Sequence, residues 1–244
     1  MEAQVAEQAS KRRVALTRES ILEAALRLSS PEGGGQLTFS RLGKELGADP
    51  TAVYRHFRDK DELVLALTDL VIHEGIELAR AALPDGPSED WRAWLTVTAD
   101  SVRTAYLARP ALAVLAAART TASPAETGSV EEVIAVLHRA GLPVLEAAEC
   151  YRQLLDLTLA MTQYSAAFTA LGPAIHAKDE AAWAVKYGML PEEDFPLLHQ
   201  SAQRLTELYR DDTEVFRMTL ATFLDGLSVR IDRAHAAEAS ARQA

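Results

Sequence analysis

Thr38-Phe39-Ser40-Arg41-Leu42-Gly43-Lys44-Glu45-Leu46-Gly47-Ala48-Asp49-Pro50-Thr51-Ala52-Val53-Tyr54-Arg55-His56-Phe57-Arg58-Asp59-Lys60 is the stretch on which the reading of this 244-residue chain turns. Thr38 is suited to cap a short helix carrying Phe39, Leu42 and Leu46, and Gly47 to close it. Asp49 caps the next helix, with Pro50 at the first helical position, where a missing N–H is harmless. Periodicity carries that helix through Val53 and Tyr54 to about Phe57. So short a helix is not stable alone. It must be held through Val53 and Phe57, and its other face then points outward, ready to enter a major groove.

Upstream, Thr17 caps a helix with Ile21, Leu22, Ala25 and Leu28 on one face, ended by Pro31 and Gly33-Gly34-Gly35. Residues 1–15 are polar, close on Lys11-Arg12-Arg13, and read as a flexible arm. Both a solvated tail and contact with phosphate or the minor groove remain open for those three cations. Downstream, Asp59 with Glu62 is a capping box opening a long helix striped by Leu63, Ala66, Leu67, Leu70 and Val71.

The rest of the chain also reads as helices. Pro84, Gly86 and Pro87 break it. Ser88 is suited to cap a helix running to Arg109, with Glu89 and Asp90 favourable at its positive end, and Pro110 precedes a short apolar helix over 111–119. A loop is expected over 120–128, then a helix from a Ser129/Glu132 capping box to Gly141. Pro143 starts a long apolar helix to about Leu171. Residues 172–190 read as an irregular connection with some helix. Helices near 194–209 and from about Thr213 to His235 complete the chain. With Ala and Leu dominant and no strand-length alternation, the expected class is all-α, with a head over 16–62 and a larger helical domain over 63–244.

Charge divides at the same place. The chain carries a net −10, yet residues 11–60 hold 10 Lys/Arg against 6 Asp/Glu, while residues 63–244 hold 15 against 25. A basic head on an acidic body fits a nucleic-acid-binding end joined to a separate sensing end. The single cysteine, Cys150, allows no internal disulfide and reads as a packed thiol in a reducing cytoplasm. No window reads as a signal peptide or membrane span. Phosphate-binding Gly loops, nucleophile elbows and zinc patterns are absent, so an enzyme is not expected.

The quoted stretch resembles the TetR family of bacterial regulators. The likeness lies in Thr38, Leu42, the Leu46-Gly47 turn and Tyr54-x-His56-Phe57-x-Asp59-Lys60, followed at once by the Leu63 helix. It implies an N-terminal three-helix helix-turn-helix domain and a C-terminal helical domain for ligand binding and dimerisation. By position, Tyr54, His56 and Lys60 match DNA-backbone contacts, and Thr38 a capping and phosphate-contact residue. Ser40, Pro50, Thr51 and Ala52 match positions facing base edges, and Arg41 and Arg55 are in reach of phosphate or guanine. The implied partners are a palindromic double-stranded DNA operator, a second copy of the chain and a small-molecule effector. The two long helices, 143–171 and 213–235, would form the homodimer interface.

Beyond the head, Trp91, the 110–120 helix and Asp194-Phe195-Pro196-Leu197-Leu198 resemble the tetracycline-repressor branch. That branch holds its ligand's Mg²⁺ partly through a His on its sixth helix, and a His closes its fourth. The matched positions here are Ala116 and Arg80. With no ligand spacing among the six His residues, neither metal nor cofactor is expected. Candidates for the effector pocket are Trp94, Thr98, Val102, Tyr106, Leu115, Arg119, Leu155, Thr158, Leu159 and Thr162. Arg119, a lone cation near an apolar cluster, needs either an acidic ligand or an internal carboxylate. The expected function is a repressor released from its operator by a lipophilic effector. The alternative is a helical small-molecule binding protein without DNA binding.

Overall fold

The computed structural model describes residues 16–33, 37–86 and 90–243. The Lys11-Arg12-Arg13 arm, Gly34-Gly35 and the Ser88/Glu89 helix start lie outside the described residues. Every regular element among them is helical: α1 (Arg18–Ser29), α2 (Phe39–Leu46), α3 (Pro50–Val53), α4 (Lys60–Ala82), α5 (Trp91–Leu107), α6 (Pro110–Ala116), α7 (Pro124–Arg139), α8 (Val144–Thr169), α9 (Pro173–Ala181), α10 (Pro196–Arg210) and α11 (Asp212–Gln243), with a 3₁₀ turn at Pro31–Gly33 and a π-helical turn at Ala182–Tyr187. All-α architecture is therefore as the composition predicts.

The caps of the first three helices are those read from the sequence. Thr17 Oγ1 accepts from Ser20 N, Thr38 Oγ1 from Arg41 N, and Asp49 Oδ1 from Thr51 N. Each satisfies a donor that the first helical turn would otherwise leave open. Several boundaries differ from expectation, and the last helix, α11, runs to Gln243 rather than to His235. α3 ends at Val53 rather than near Phe57, and a turn carries Tyr54, Arg55 and His56. That turn is held from outside: Arg18 Nη1 donates to the His56 carbonyl. The α7 helix starts at Pro124, and its cap, Ser123, stands six residues before Ser129. Ser129 and Glu132 lie inside it. Asp90, not Ser88, caps the described start of α5 through the Ala93 N–H.

Residues 172–190, read as an irregular connection with some helix, are helical over Pro173–Ala181 and continue into the π-turn at Ala182–Tyr187. Pro173 supplies the pre-set first position after Gly172. At Asp59/Glu62, half of the expected box is present. Asp59 Oδ1 accepts from Glu62 N, but the Glu62 carboxylate accepts from Arg58 N instead of the Asp59 N–H.

Two apolar cores hold the molecule. One joins Ile21, Leu42, Val53, Phe57, Leu63 and Leu67 to Tyr106, Leu112 and Ala116, so the packing of the N-terminal helices runs without a break into α5 and α6. The other joins Leu95, Leu137, Leu142, Leu154, Phe216, Leu220 and Leu224. α4 packs extensively along α5, and α8 is covered in turn by α5, α6, α7 and α11. No helix among the described residues is long and apolar enough to cross a membrane. Cys150 is buried in the second core, with Arg230 Nη1 3.5 Å from its sulfur. Burial raises its thiol pKa above the ordinary value, which fits the packed role.

Candidate functional site

The head is fixed by two glycines and a cation. Gly47 takes the left-handed conformation that a helix C-cap needs, with φ +61°, and its N–H reaches the Gly43 and Lys44 carbonyls. Gly43 stands where α2 crosses the start of α3: a Cβ there would lie 2.8 Å from Ala48 O, so only glycine lets the two meet. Sequence reading used Gly47 and passed over Gly43. Phe57 is fully buried with Leu42 and Val53, and the Arg18 guanidinium lies 4.2 Å from the centre of its ring.

Glu62 gathers the neighbouring donors. Its carboxylate accepts from Arg18 Nη1 at 3.1 Å, from Arg58 N at 3.0 Å and from Arg58 Nε at 3.1 Å. Those bonds, the Arg58 N–H first, bring its pKa from the usual 4.5 down to about 2. The folded value lies below the unfolded one, so the stabilisation is fully present above about pH 4.5 and is lost as pH falls toward about 2. Glu62→Gln is therefore expected to melt below the wild type at pH 6 and to converge with it near pH 2 in thermal melts.

With the core side fixed, the opposite side carries the candidate DNA residues. Thr38, Ser40, Pro50, Thr51, Tyr54, Arg55 and Lys60 are exposed, while Arg41, Ala52 and His56 are half-buried. Tyr54 lays its ring against the Phe39 ring, 4.6 Å between centroids at 71°, and remains 56% exposed. A ring packed edge-to-face on one neighbour and otherwise largely exposed suits phosphate contact at small entropic cost. Thr51 Oγ1 donates to Asp49, which orients it at the open end of α3. Arg41 Nη2 donates to the Gly33 carbonyl at 2.5 Å, so this guanidinium is engaged with the chain just after α1. Lys44 was not among the sequence candidates. It is exposed one turn after Ser40, and the four-residue spacing that puts both on one face was the available signal.

A cavity of about 360 Å³ opens behind the head. α4 contributes Ile72 and Ile76, α5 contributes Thr98, Val102 and Tyr106, and the segment after α6 contributes Arg119 and Thr120. α7 adds Glu126, Val130 and Val133, and α8 adds Tyr151, Leu155, Thr158, Leu159 and Gln163. Seven of the ten pocket candidates therefore meet here. The other three do not. Trp94, one turn before Thr98, packs in the second core, where it borders a separate small recess. Leu115 is exposed because Leu112, Ala113 and Ala116 take the inner face of α6. Thr162 is fully buried and bonds back to the Thr158 carbonyl. The α4 and α7 contributors were missed, since their turn toward the cavity depends on packing alone.

Arg119 has found an internal carboxylate. Its guanidinium forms a two-pronged ion pair with Asp61, in the first turn of α4. That pairing lowers the Asp61 pKa and raises that of Arg119. Glu126 accepts from Thr121 N, Thr121 Oγ1 and Ala122 N, tying down the loop before α7. Burial, then the Glu126 charge, pushes the Tyr106 phenol up. Among the described residues no cluster of His, Cys, Asp and Glu has the arrangement of a metal site.

Away from the cavity, a buried polar group went unread in the sequence. Arg103, 4% exposed, donates to Ser165 Oγ at 2.9 Å and pairs with Asp212 at the first position of α11. Its guanidinium also lies 4.8 Å from the Phe216 ring centre. The group bolts α5, α8 and α11 together.

The arrangement of a helix-turn-helix head joined to a cavity-bearing helical body matches two family models. Residues 21–67 match that of the bacterial regulatory proteins of the tetR family, and residues 83–231 that of the tetracyclin repressor-like C-terminal domain. The chain belongs to the TetR family. An HTH-type transcriptional repressor of Mycobacterium tuberculosis is 32% identical over 145 residues, 58% of this chain and 54% of that protein. An HTH-type transcriptional regulator of Saccharopolyspora erythraea is 32% identical over 135 residues, 55% of each. The chain thus spans about half the length of these relatives. Among solved structures, Streptomyces coelicolor ActR in complex with actinorhodin superposes with a TM-score of 0.73 at 25% identity, covering 88% of this chain and 98% of ActR.

Proposed function

We propose that this protein is a homodimeric, DNA-binding transcriptional repressor, cytoplasmic and without enzymatic activity, that leaves a palindromic operator when a small lipophilic effector enters its cavity. The head over 16–62 binds DNA, and the region over 63–244 binds the effector and the second copy. The observation that carries this reading is the exposed row from Thr38 to Lys60, held on a head whose other side is fully buried and whose long helix α4 continues into the cavity wall.

Two heads are needed because one makes few base contacts, and a two-fold dimer matches a palindrome. The interface we assign to α8 and α11 is supported by apolar groups they leave in solvent, including Val144, Leu145, Tyr164, Met218 and Val229. ActR, crystallised in complex with actinorhodin, supports a small-molecule effector. The effector acts only if it binds the released state more tightly than the DNA-bound one.

The test begins with a palindromic duplex selected by the protein from a random-sequence pool, followed by gel shift at several salt concentrations. Lys60→Ala is expected to weaken binding evenly across sequences and to flatten the salt dependence by about one counterion per head. Tyr54→Ala is expected to cost about tenfold in affinity, as loss of one well-placed charge-assisted hydrogen bond does. Unchanged affinity and salt slope in both variants would remove the DNA assignment, and a monomer in sedimentation at micromolar concentration would remove the dimer.

A further inference from the structure

Threonines on α5 and α8 follow one habit, with two exceptions. Thr96, Thr104, Thr162 and Thr169 each donate to the carbonyl four residues back. Such a bond satisfies a hydroxyl locally and needs no tertiary partner. Thr98 and Thr158 do not follow it. Their hydroxyl oxygens are buried, and neither has a hydrogen-bond partner among the described residues. Both residues line the cavity, and Thr158 as a whole is only 3% exposed. A buried hydroxyl left unpaired is costly. Thr98 stands on α5 and Thr158 on α8, and both residues border the cavity, whereas the other buried unpaired side-chain atom among the described residues, Asp69 Oδ1 on α4, lies outside its lining.

The charged residues of the lining behave oppositely. Arg119 is paired with Asp61, Arg152 with Asp156, and Glu126 with the backbone and hydroxyl of its own loop. Each charge thus has a partner within the protein, Arg119 and Arg152 in pairs that lie toward solvent, and a charged ligand would compete with that partner. The remaining wall is largely aliphatic and aromatic.

From this contrast we infer that the effector is an uncharged, apolar, ring-sized molecule carrying a carbonyl oxygen, which accepts hydrogen bonds from the Thr98 and Thr158 hydroxyls. This deepens the effector part of the proposed function and rests on it. A carbonyl oxygen has two lone pairs and no proton to place, so it complements two donors without leaving a donor of its own unpaired. The cavity volume of about 360 Å³ suits a molecule of two or three fused rings.

The test uses the full chain without DNA and three probes of matched shape: 2-acetylnaphthalene, 2-ethylnaphthalene and 2-naphthoate. Binding is read by calorimetry for the wild type, Thr158→Val and Thr98→Val/Thr158→Val. The wild type is expected to prefer the acetyl probe over both others. The ratio of acetyl to ethyl affinity should fall about fivefold in the single variant and at least tenfold in the double, as expected for losing one and two buried hydrogen bonds. Valine keeps the shape and removes the orphaned hydroxyl, so the melting temperature of the unliganded variants should equal or exceed that of the wild type. An unchanged ratio, a preference for the naphthoate, or no binding of any probe by the wild type overturns the assignment. The operator experiment above needs no probe, so failure of the effector chemistry is separable from failure of the regulator reading.

Discussion

Phe57→Ala is expected to cost about 3–5 kcal/mol of stability, the range for truncating a fully buried aromatic side chain. The ring is at the junction of three supports. It packs with Leu42, Val53 and Leu63 in the core that continues to α6, it lies beneath the Arg18 guanidinium, and it ends the turn that presents Tyr54 and Arg55. α3 has only four residues, so it draws its position from these contacts and not from its own hydrogen bonds. Urea unfolding should show the lower midpoint, and operator binding should fall by more than 100-fold at 37 °C as α3 loses its anchor. Phe57→Leu, which fills most of the volume, should retain binding. Equal urea midpoints for wild type and alanine variant would show that the head is held by something else.

Asp212→Ala is expected to be of similar size for a different reason. Arg103 has a side chain only 5% exposed, and its carboxylate partner is the group that balances its charge. Removing one member of a buried pair leaves an uncompensated ion, at a cost of about 3–5 kcal/mol. For a chain of this length, that corresponds to a melting temperature lower by roughly 10 °C. The double variant Arg103→Met/Asp212→Ala should recover most of the loss, because the charge needing compensation is then absent. If the double variant melts no higher than Asp212→Ala, the packing of Arg103 on Phe216 outweighs its charge.

The head was legible because its signals are local. Thr17, Thr38 and Asp49 act within three residues of themselves, Gly47 answers to its own φ, and the quoted constellation spaces them in one order. The early end of α3 was not legible, because the bond that holds the following turn comes from Arg18, 38 residues away. The start of α7 shows how two equal local signals compete. Ser123-x-x-Glu126 and Ser129-x-x-Glu132 are the same motif six residues apart. The first prevails with Pro124 in its favoured place, and nothing between them stops the helix.

The cavity was half legible. Thr98, Val102, Tyr106, Leu155, Thr158 and Leu159 recur at helical spacing on two helices, whereas Ile72, Ile76, Val130 and Val133 reach it from helices whose apolar stripes look like any other core. Arg103 and Asp212 are 109 residues apart and have no pattern to connect them. That Thr98 and Thr158 are left without partners is likewise a property of the folded state only.

The continuity of α4 has a mechanical consequence. Glu62, which clamps the head through Arg18, and Ile76, in the cavity wall, lie on one uninterrupted helix. Fourteen residues at 1.5 Å each separate them by about 21 Å. An uninterrupted helix works as a lever arm: tilted by about 10° about its cavity end, it sweeps its far tip through roughly 3.7 Å over that length. That is close to the spacing between successive base pairs, about 3.4 Å. Two such arms diverging in a dimer would change the separation of their tips by twice that stroke. On the proposed function, a tilt of that size at the cavity end would shift each head by about one base-pair step along the operator.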